Sequence, residues 1–480
     1  MSCPLKCSEV FSDGSLSEKP NCIFLAGRDE SCDERLCRTP ESAGSWRPLG
    51  RLSSLPLNIT CDKMPEISLQ EFERRHIAVF LSALRGGGAE RMALDLARAF
   101  SKLRHRVDLV LCRREGELLS QVPVGVRTIE LGVSPLHKVI HSLARLPAQT
   151  NRALLGLFLK TLRKKVRSLP SLEGYLQVER PEVLLASTPI PNLLALWAVH
   201  LTPVDTRLII KQDSAITAFG RKRNDSFRRK LPFFMKCWYP QADGIIAVSG
   251  GIAREVCEEL GAAEERVRVI YNPIDFDRIT ALAVEPLDDP WFQPGEPPVI
   301  LACGRLIPQK DYPTLLHAFS RLRQNEQARL VILGEGKERP RLEAMVRDLG
   351  LAADIRLPGF QTNPYAYMAR AATFVLSSVS EGLATVVIEA LACGRPVVST
   401  DCPYGPAEIL EEGNYGRLVP VGDCDALAAA IQSMLRGGID PANGKKRAKE
   451  FDVNAVAQQY LRFFFHDASA SQRIQVKSTG

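Results

Sequence analysis

Short apolar runs alternate with helix-length segments along most of this chain, and the alternation runs through twice. The first set is His76 to Leu84, Val107 to Cys112, Val183 to Ala186, Arg207 to Ile210, Gly244 to Val248 and Val267 to Ile270. The second is Val299 to Cys303, Leu330 to Leu333, Ile355 to Leu357, Thr373 to Leu376 and Pro396 to Ser399. Such runs lack the polar alternation of a one-sided sheet, so each reads as a strand covered on both faces, and buried strands joined by helices form parallel sheets. The fold class that follows is α/β, with two Rossmann-like, doubly wound parallel-sheet domains in succession. Ligands in such sheets lie beyond the carboxyl ends of the strands, so two units joined by a linker are expected to face an interdomain cleft that holds the functional site.

Breaks in the pattern set the boundaries. Residues 1–73 mix Ser, Pro, Gly, Cys and charges without a period of 2 or 3.6 and are expected to be a mobile N-terminal extension. The first Rossmann-like unit spans 74–283, and Val284 to Glu296, rich in proline and acid, reads as a linker. The second unit spans 297–438, with helices over Tyr312 to Leu322, Arg339 to Leu349, Thr385 to Ala392 and Cys424 to Leu435. Residues 439–480 are expected to hold a single closing helix, Lys445 to Phe464, and a frayed tail.

At 480 residues, 45% apolar and 24% charged, the chain is neither fibrous nor wholly disordered. The formal charge is +7, but the first 73 residues carry 8 basic and 12 acidic side chains, a net −4, so the remainder carries +11 and suits an anionic ligand or an acidic membrane surface. The longest uncharged stretch, Val183 to Val204, is broken by Pro189, Pro191 and Pro203, which argues against a membrane-spanning helix. No basic start followed by an apolar core opens the chain, so cytoplasmic residence is expected. Six of the 13 cysteines (Cys3, Cys7, Cys22, Cys32, Cys37 and Cys61) fall in the extension without a CxxC pair or nearby histidine, and they read as reduced thiols rather than a disulfide framework or a zinc site.

The candidate chemistry sits at strand ends. Val299 to Cys303 runs into Gly304-Arg305-Leu306-Ile307-Pro308-Gln309-Lys310-Asp311, placing a guanidinium and an ammonium on one loop. Arginine can grip two oxygens at once and lysine supplies a compact point charge, a combination that suits a diphosphate, although a solvated basic loop reads equally well from this segment alone. The segment Ser380-Glu381-Gly382-Leu383-Ala384-Thr385, continuing to Glu389, follows the Thr373 strand. Gly382 is expected to open a helix, with the backbone N–H groups of Gly382 and Leu383 and the helix's positive end aimed at a phosphate. Glu389, more than one turn into that helix, can accept both hydroxyls of a ribose, and Glu381 stays in the loop on the sugar side. Each glutamate by itself reads as a surface residue; it is the set that is specific.

Taken together, GGGAE at Gly86, GRLIPQKDY at Gly304, VILGEG, LPGF and EGLATVVIEALACGRPVVSTDCPYGPAEIL resemble the retaining nucleotide-sugar glycosyltransferases of GT-B fold, family 4 ("group 1"), from about Ile77 to Leu435. The resemblance implies Arg305 and Lys310 on the donor diphosphate with Gly304 in the same loop, Glu389 on the ribose and Glu381 near the transferred sugar. It implies that the base lies near Gly359 and Phe360, and that Gly87 and Gly88 approach the sugar phosphate from the first domain, which binds the acceptor. It further implies no cofactor and no metal, fixed cations and the helix start near Gly382 stabilising the departing diphosphate instead. Asp275-Phe276-Asp277 superficially matches a metal-binding DxD, but it follows the Asn272-Pro273 turn and reads as helix capping. Two departures stand out: Ala384 occupies a place where relatives commonly carry proline, and Lys211-Gln212-Asp213-Ser214 continues a strand that in relatives often ends in histidine. Roles for Gln212 and Asp213 are therefore open, contact with sugar or acceptor and a loop cap standing side by side.

The expected activity is transfer of a hexose or N-acetylhexosamine, from a UDP-linked donor, to a glycan or lipid-linked acceptor in polysaccharide or glycolipid biosynthesis. Other GT-B enzymes of the sucrose- or trehalose-synthase or epimerase type, and a non-catalytic sugar-nucleotide binder, are the alternatives. A dehydrogenase is disfavoured because GGGAE is not GxGxxG and no suitable acid ends Val107 to Cys112. Between Leu136 and Leu172 lie Lys138, Arg145, Arg152, Lys160, Arg163, Lys164, Lys165 and Arg167 with no acid, interleaved with leucines, and a second basic cluster from Arg221 to Lys230 leads into Phe233 and Phe234. These stretches suit peripheral contact with the anionic inner face of a membrane, or a solvated helix face; no nucleic-acid reading module accompanies them.

Overall fold

Branched and aromatic side chains at consecutive positions are covered on both sides inside a layered sheet, and the strand-length apolar runs of this chain are so placed. The structure, a computed structural model, describes residues 73–150, 166–216, 226–437 and 440–465. The leading extension through residue 72, the tail beyond 465, and the basic side chains Arg152, Lys160, Arg163, Lys164, Lys165, Arg221, Lys222, Arg223, Arg228 and Arg229 lie outside what is described.

Among the described residues, β1 (His76–Leu81), β2 (Arg106–Leu111), β3 (Val126–Glu130), β4 (Val183–Ser187), β5 (Arg207–Gln212), β6 (Gly244–Ala247) and β7 (Val267–Val269) form one parallel sheet in the order β3-β2-β1-β4-β5-β6-β7. A second parallel sheet holds β8 (Val299–Cys303), β9 (Arg329–Leu333), β10 (Ile355–Gly359), β11 (Thr373–Leu376), β12 (Val397–Thr400) and β13 (Arg417–Val419) in the order β10-β9-β8-β11-β12-β13. Strand order reverses beside β1 in the first sheet and beside β8 in the second, and at such a switch point the loops part and leave a crevice. The loops that leave β1, β8 and β11 are those carrying the glycine run, the Arg305–Lys310 pair and the Glu381 segment.

One apolar cluster is continuous between the lobes, joining Phe80, Ile210 and Ile245 to Leu301, Leu376 and Val387. The outer faces have their own clusters, around Phe100 and Tyr460 in the first lobe and around Phe319 and Leu427 in the second.

Four features differ from the sequence expectation. β3 and β13 are additional strands; both sit at sheet edges and are only partly covered, so neither carries a continuous apolar run. β5 extends through Lys211 and Gln212, which are polar yet buried. The Val284–Glu296 segment is pinned: Trp291 is buried, with the Arg356 guanidinium 3.8 Å and that of Arg329 4.8 Å from its ring centre. The expected closing helix is two helices, Pro441–Lys449 and Val453–Phe465. They part where the backbone of Ile274 inserts, its N–H donating to Phe451 O at 2.9 Å and its carbonyl accepting from Val453 N at 2.8 Å. Gly444 of the first lies against Leu391 in the second lobe, whereas Phe463 of the next packs on Gly244 and Ile209, and Tyr460 on Phe100, in the first. The chain thus crosses back to the first lobe.

Asp108, fully buried in the middle of β2, anchors the first sheet's edge. Its carboxylate accepts from Tyr175 Oη at 2.7 Å and from Arg127 Nε and Nη2 at 2.9 and 2.6 Å, and pairs with His76 Nε2 at 2.9 Å. Burial alone would raise the carboxyl pKa; the hydrogen bonds from His76, Arg127 and Tyr175 outweigh it and hold the group well below the usual range. A depressed folded pKa contributes stability above the unfolded value of about 4 and loses it as pH falls toward the folded value. Asp108→Asn is expected to cost about 3 kcal/mol at pH 7 and to flatten the acid limb of a stability–pH curve measured by denaturant titration; an unchanged acid limb contradicts this assignment.

Candidate active site

The loops leaving β8, β9 and β10 are stacked backbone on backbone. Gly304 N donates to Leu333 O, Leu306 N to Glu335 O and Gly334 N to Gly359 O, each at 2.9 Å. A Cβ on Gly334 would lie 2.1 Å from Gly304 O, and one on Gly336 2.2 Å from Leu306 O, so the GEG sequence is what lets these loops close up. This stack presents Arg305, which is exposed, and Phe360, which is 60% exposed beside Gly359.

The loop leaving β11 is laced to the same stack. Val379 N donates to Gln309 O at 2.9 Å, Gln309 Nε2 to Ser380 O at 2.6 Å and Ser377 Oγ to Lys310 O at 2.8 Å. Lys310 Nζ then donates to Glu381 Oε1 at 2.7 Å, and Ser378 Oγ donates to the same oxygen at 2.5 Å. Both charged side chains are largely covered, at 15% and 11% exposure. The two residues read separately from the sequence are therefore one ion pair. An ammonium has three donors, so the one given to Glu381 leaves two for a ligand.

Gly382 does not open the helix, contrary to expectation. The helix is Thr385–Ala392, entered through Ala384 in the left-handed region (φ 63°, ψ 54°). Gly382 is glycine for another reason: a Cβ there would lie 2.1 Å from Asp213 O at the end of β5, in the opposite lobe. Leu383 is buried, its backbone against Gly405. Glu389, half-buried on the helix, accepts from Tyr365 Oη at 3.1 Å. Burial raises its pKa, and Arg91 of the first lobe and the Tyr365 hydroxyl oppose that rise.

From the first lobe, Gly88 begins the helix Gly88–Lys102, with Gly87 as its N-cap and Glu90 Oε2 accepting from Gly87 N at 3.0 Å. A Cβ on Gly88 would meet no protein atom within 4 Å. Arg91 follows three residues later on the same helix and acts electrostatically on Glu389, Tyr365 and Cys303 in the second lobe. Sequence reasoning passed over Arg91 and Tyr365; the signal for Arg91 was its i+3 spacing from Gly88, which puts it on the same face at the helix start. Asp275 caps the helix Phe276–Ala283, its carboxylate accepting from Arg278 N at 3.0 Å, as its position after Asn272-Pro273 suggested. Across the lobes, Glu408 accepts from Gly250 N at 2.9 Å and Gly251 N at 3.2 Å, capping the helix Gly250–Leu260 from the opposite side.

What converges at the switch points is thus a lysine held by a carboxylate, an exposed arginine, a half-buried carboxylate and an unobstructed glycine helix start. Chemically, that set offers positive charge and hydrogen-bond donors to an anionic group and a carboxylate acceptor to hydroxyls. Comparison with known proteins agrees on family. Residues 86–278 match the family described as Glycosyltransferase Family 4, and residues 285–451 match Glycosyl transferases group 1. A Campylobacter jejuni enzyme, N-acetylgalactosamine-N,N'-diacetylbacillosaminyl-diphospho-undecaprenol 4-alpha-N-acetylgalactosaminyltransferase, is 30% identical over 394 residues, covering 81% of this chain and 98% of its own. The lipopolysaccharide core biosynthesis glycosyltransferase LpsE of Rhizobium meliloti is 30% identical over 277 residues, covering 57% of this chain and 75% of its own. Among solved structures, Anabaena HepE in complex with UDP and glucose superposes with a TM-score of 0.62 at 20% identity, covering 81% of this chain and 99% of that one. With both lobes matched in order and a relative aligned over nearly its whole length, the chain belongs to the group 1, family 4 glycosyltransferases and is itself a glycosyltransferase of GT-B fold.

Proposed function

We propose that the protein transfers a hexose or N-acetylhexosamine from a UDP-linked donor, with retention of anomeric configuration, to a glycan or lipid-linked acceptor in polysaccharide or glycolipid biosynthesis. The observation that carries this reading is the Lys310–Glu381 ion pair at the switch point, flanked by Arg305 and Glu389. Arg305 and the two spare Lys310 donors grip the diphosphate, Glu389 takes the ribose hydroxyls, and the base lies along Gly359 and Phe360. Glu381 orients Lys310 and faces the transferred sugar. Gly87 and Gly88 bring the first lobe's helix start to the sugar phosphate.

In the reaction the bond from the anomeric carbon to the diphosphate oxygen breaks, the acceptor oxygen bonds that carbon from the same face, and the acceptor's proton passes to the departing phosphate. Positive charge develops on the sugar while negative charge grows on the leaving group, so fixed cations aimed at the diphosphate lower the barrier without a metal ion. The UDP assignment is supported by the UDP complex of a protein of the same fold. The acceptor class is supported by the diphospho-undecaprenol in the name of one relative and the lipopolysaccharide core biosynthesis in that of another.

A lipid-linked acceptor would bring the first lobe to a membrane, on its cytoplasmic face. Among the described residues no helix is long and apolar enough to cross one. Lys138, Ile140 and Phe233 are exposed on that lobe and suit peripheral contact, whereas Arg145 and Arg167 are engaged internally, with Glu173 and with the Ser134 carbonyl.

Arg305→Ala and Lys310→Ala are each expected to lower kcat/KM by about 100-fold or more while circular dichroism stays unchanged; near-parental turnover in both contradicts the site. Gly88→Ala should leave folding stability within about 1 kcal/mol of the parent and raise the donor KM severalfold, and an unaltered KM removes Gly88 from the site. Liposome flotation should give salt-sensitive binding to vesicles containing anionic lipid and none to neutral ones; equal behaviour on both contradicts the membrane contact.

A further inference from the structure

β5 ends in side chains that a buried strand ordinarily excludes. Lys211 is fully buried, and an ammonium removed from water is costly unless paired. Its Nζ donates to Asp213 Oδ1 and, at 2.8 Å, to Asn272 Oδ1. Asp213 Oδ2 accepts from Ser187 Oγ at 2.7 Å, so each carboxylate oxygen holds one donor, and the side chain keeps 16% of its surface exposed. Asn272 Nδ2 continues the chain of contacts to Thr385 Oγ1 at 3.4 Å, the first residue of the helix that carries Glu389. The backbone of Asp213 lies against Gly382, next to Glu381. Replacing an entire buried ion pair by apolar residues of similar volume is often neutral or stabilising, so packing alone does not account for a buried ammonium whose partner carboxylate stays partly exposed at the strand end.

We propose that Lys211 is a positioning residue: its ammonium fixes the Asp213 carboxylate against the sugar of the bound donor, and through Asn272 it ties that carboxylate to the start of the Thr385 helix. Asp213 then accepts a hydroxyl of the transferred sugar with the lone pair each oxygen still has available, and it selects the sugar from the lobe opposite Glu381. This rests on the reading above, that a nucleotide sugar occupies the cleft.

The test uses the full chain. Nucleotide release is measured from UDP-, GDP- and ADP-linked hexoses and N-acetylhexosamines, and the best donor is then compared with its monodeoxy forms in the parent, Asp213→Asn and Lys211→Met. Both substitutions are expected to lower kcat about 10- to 100-fold while the affinity for free UDP changes less than about threefold. One monodeoxy donor should lose a similar factor in the parent and nothing further in either variant, because the partner it would lack is already gone. A purely structural pair would lower the melting temperature and leave every deoxy penalty intact; that result overturns the inference. Asp213→Asn is isosteric and carries the comparison should Lys211→Met fail to fold. A parent that releases nucleotide from none of the donors overturns the underlying reading and this inference together, whereas an active parent with additive penalties in Asp213→Asn overturns the inference alone.

Discussion

The Lys310–Glu381 ion pair is the contact on which the rest of the site depends. It joins the loops of two neighbouring strands at the point where the second sheet reverses its order, and it does so with both groups largely removed from water. Partial burial strengthens the pair relative to a surface one and fixes the lysine's direction, so the ammonium is positioned before any ligand arrives. Ser378 and Gln309 add hydrogen bonds around it, and the glycines at 334 and 336 let the neighbouring loops close to backbone contact. A preorganised cation of this kind needs little rearrangement as charge develops on a leaving group.

The lobes meet through contacts made by the same segment that carries Glu381. Gly382 admits the Asp213 carbonyl, Gly251 admits the Tyr404 ring, and Glu408 caps the Gly250 helix from the other lobe. The last described helix returns to pack Phe463 and Tyr460 on the first sheet. The stretch from Glu381 to Leu410 therefore serves two ends at once, holding Lys310 at the switch point and packing the second lobe against the first.

Much of this was legible in the sequence, for a physical reason. Central parallel strands are buried on both faces and read as unbroken apolar runs, so their number and succession are written plainly. The edge strands β3 and β13 are half-covered and carry no such signature. Strand ends marked the loops with Arg305, Lys310, Glu381 and Glu389, but side-chain pairing across seventy residues is not a pattern that spacing reveals. The position of Lys211 inside β5 was hidden because a buried lysine contradicts the rule by which strands are recognised. The break at Phe451 was hidden likewise, since it is imposed by Ile274 far upstream.

The central claim is that fixed protein cations, not a metal ion, hold the diphosphate. Calorimetric titration of UDP into the full chain in the presence of excess EDTA tests it most directly. The account predicts one-to-one binding with an affinity unchanged by the chelator. Binding that appears only when magnesium or manganese is restored would contradict it.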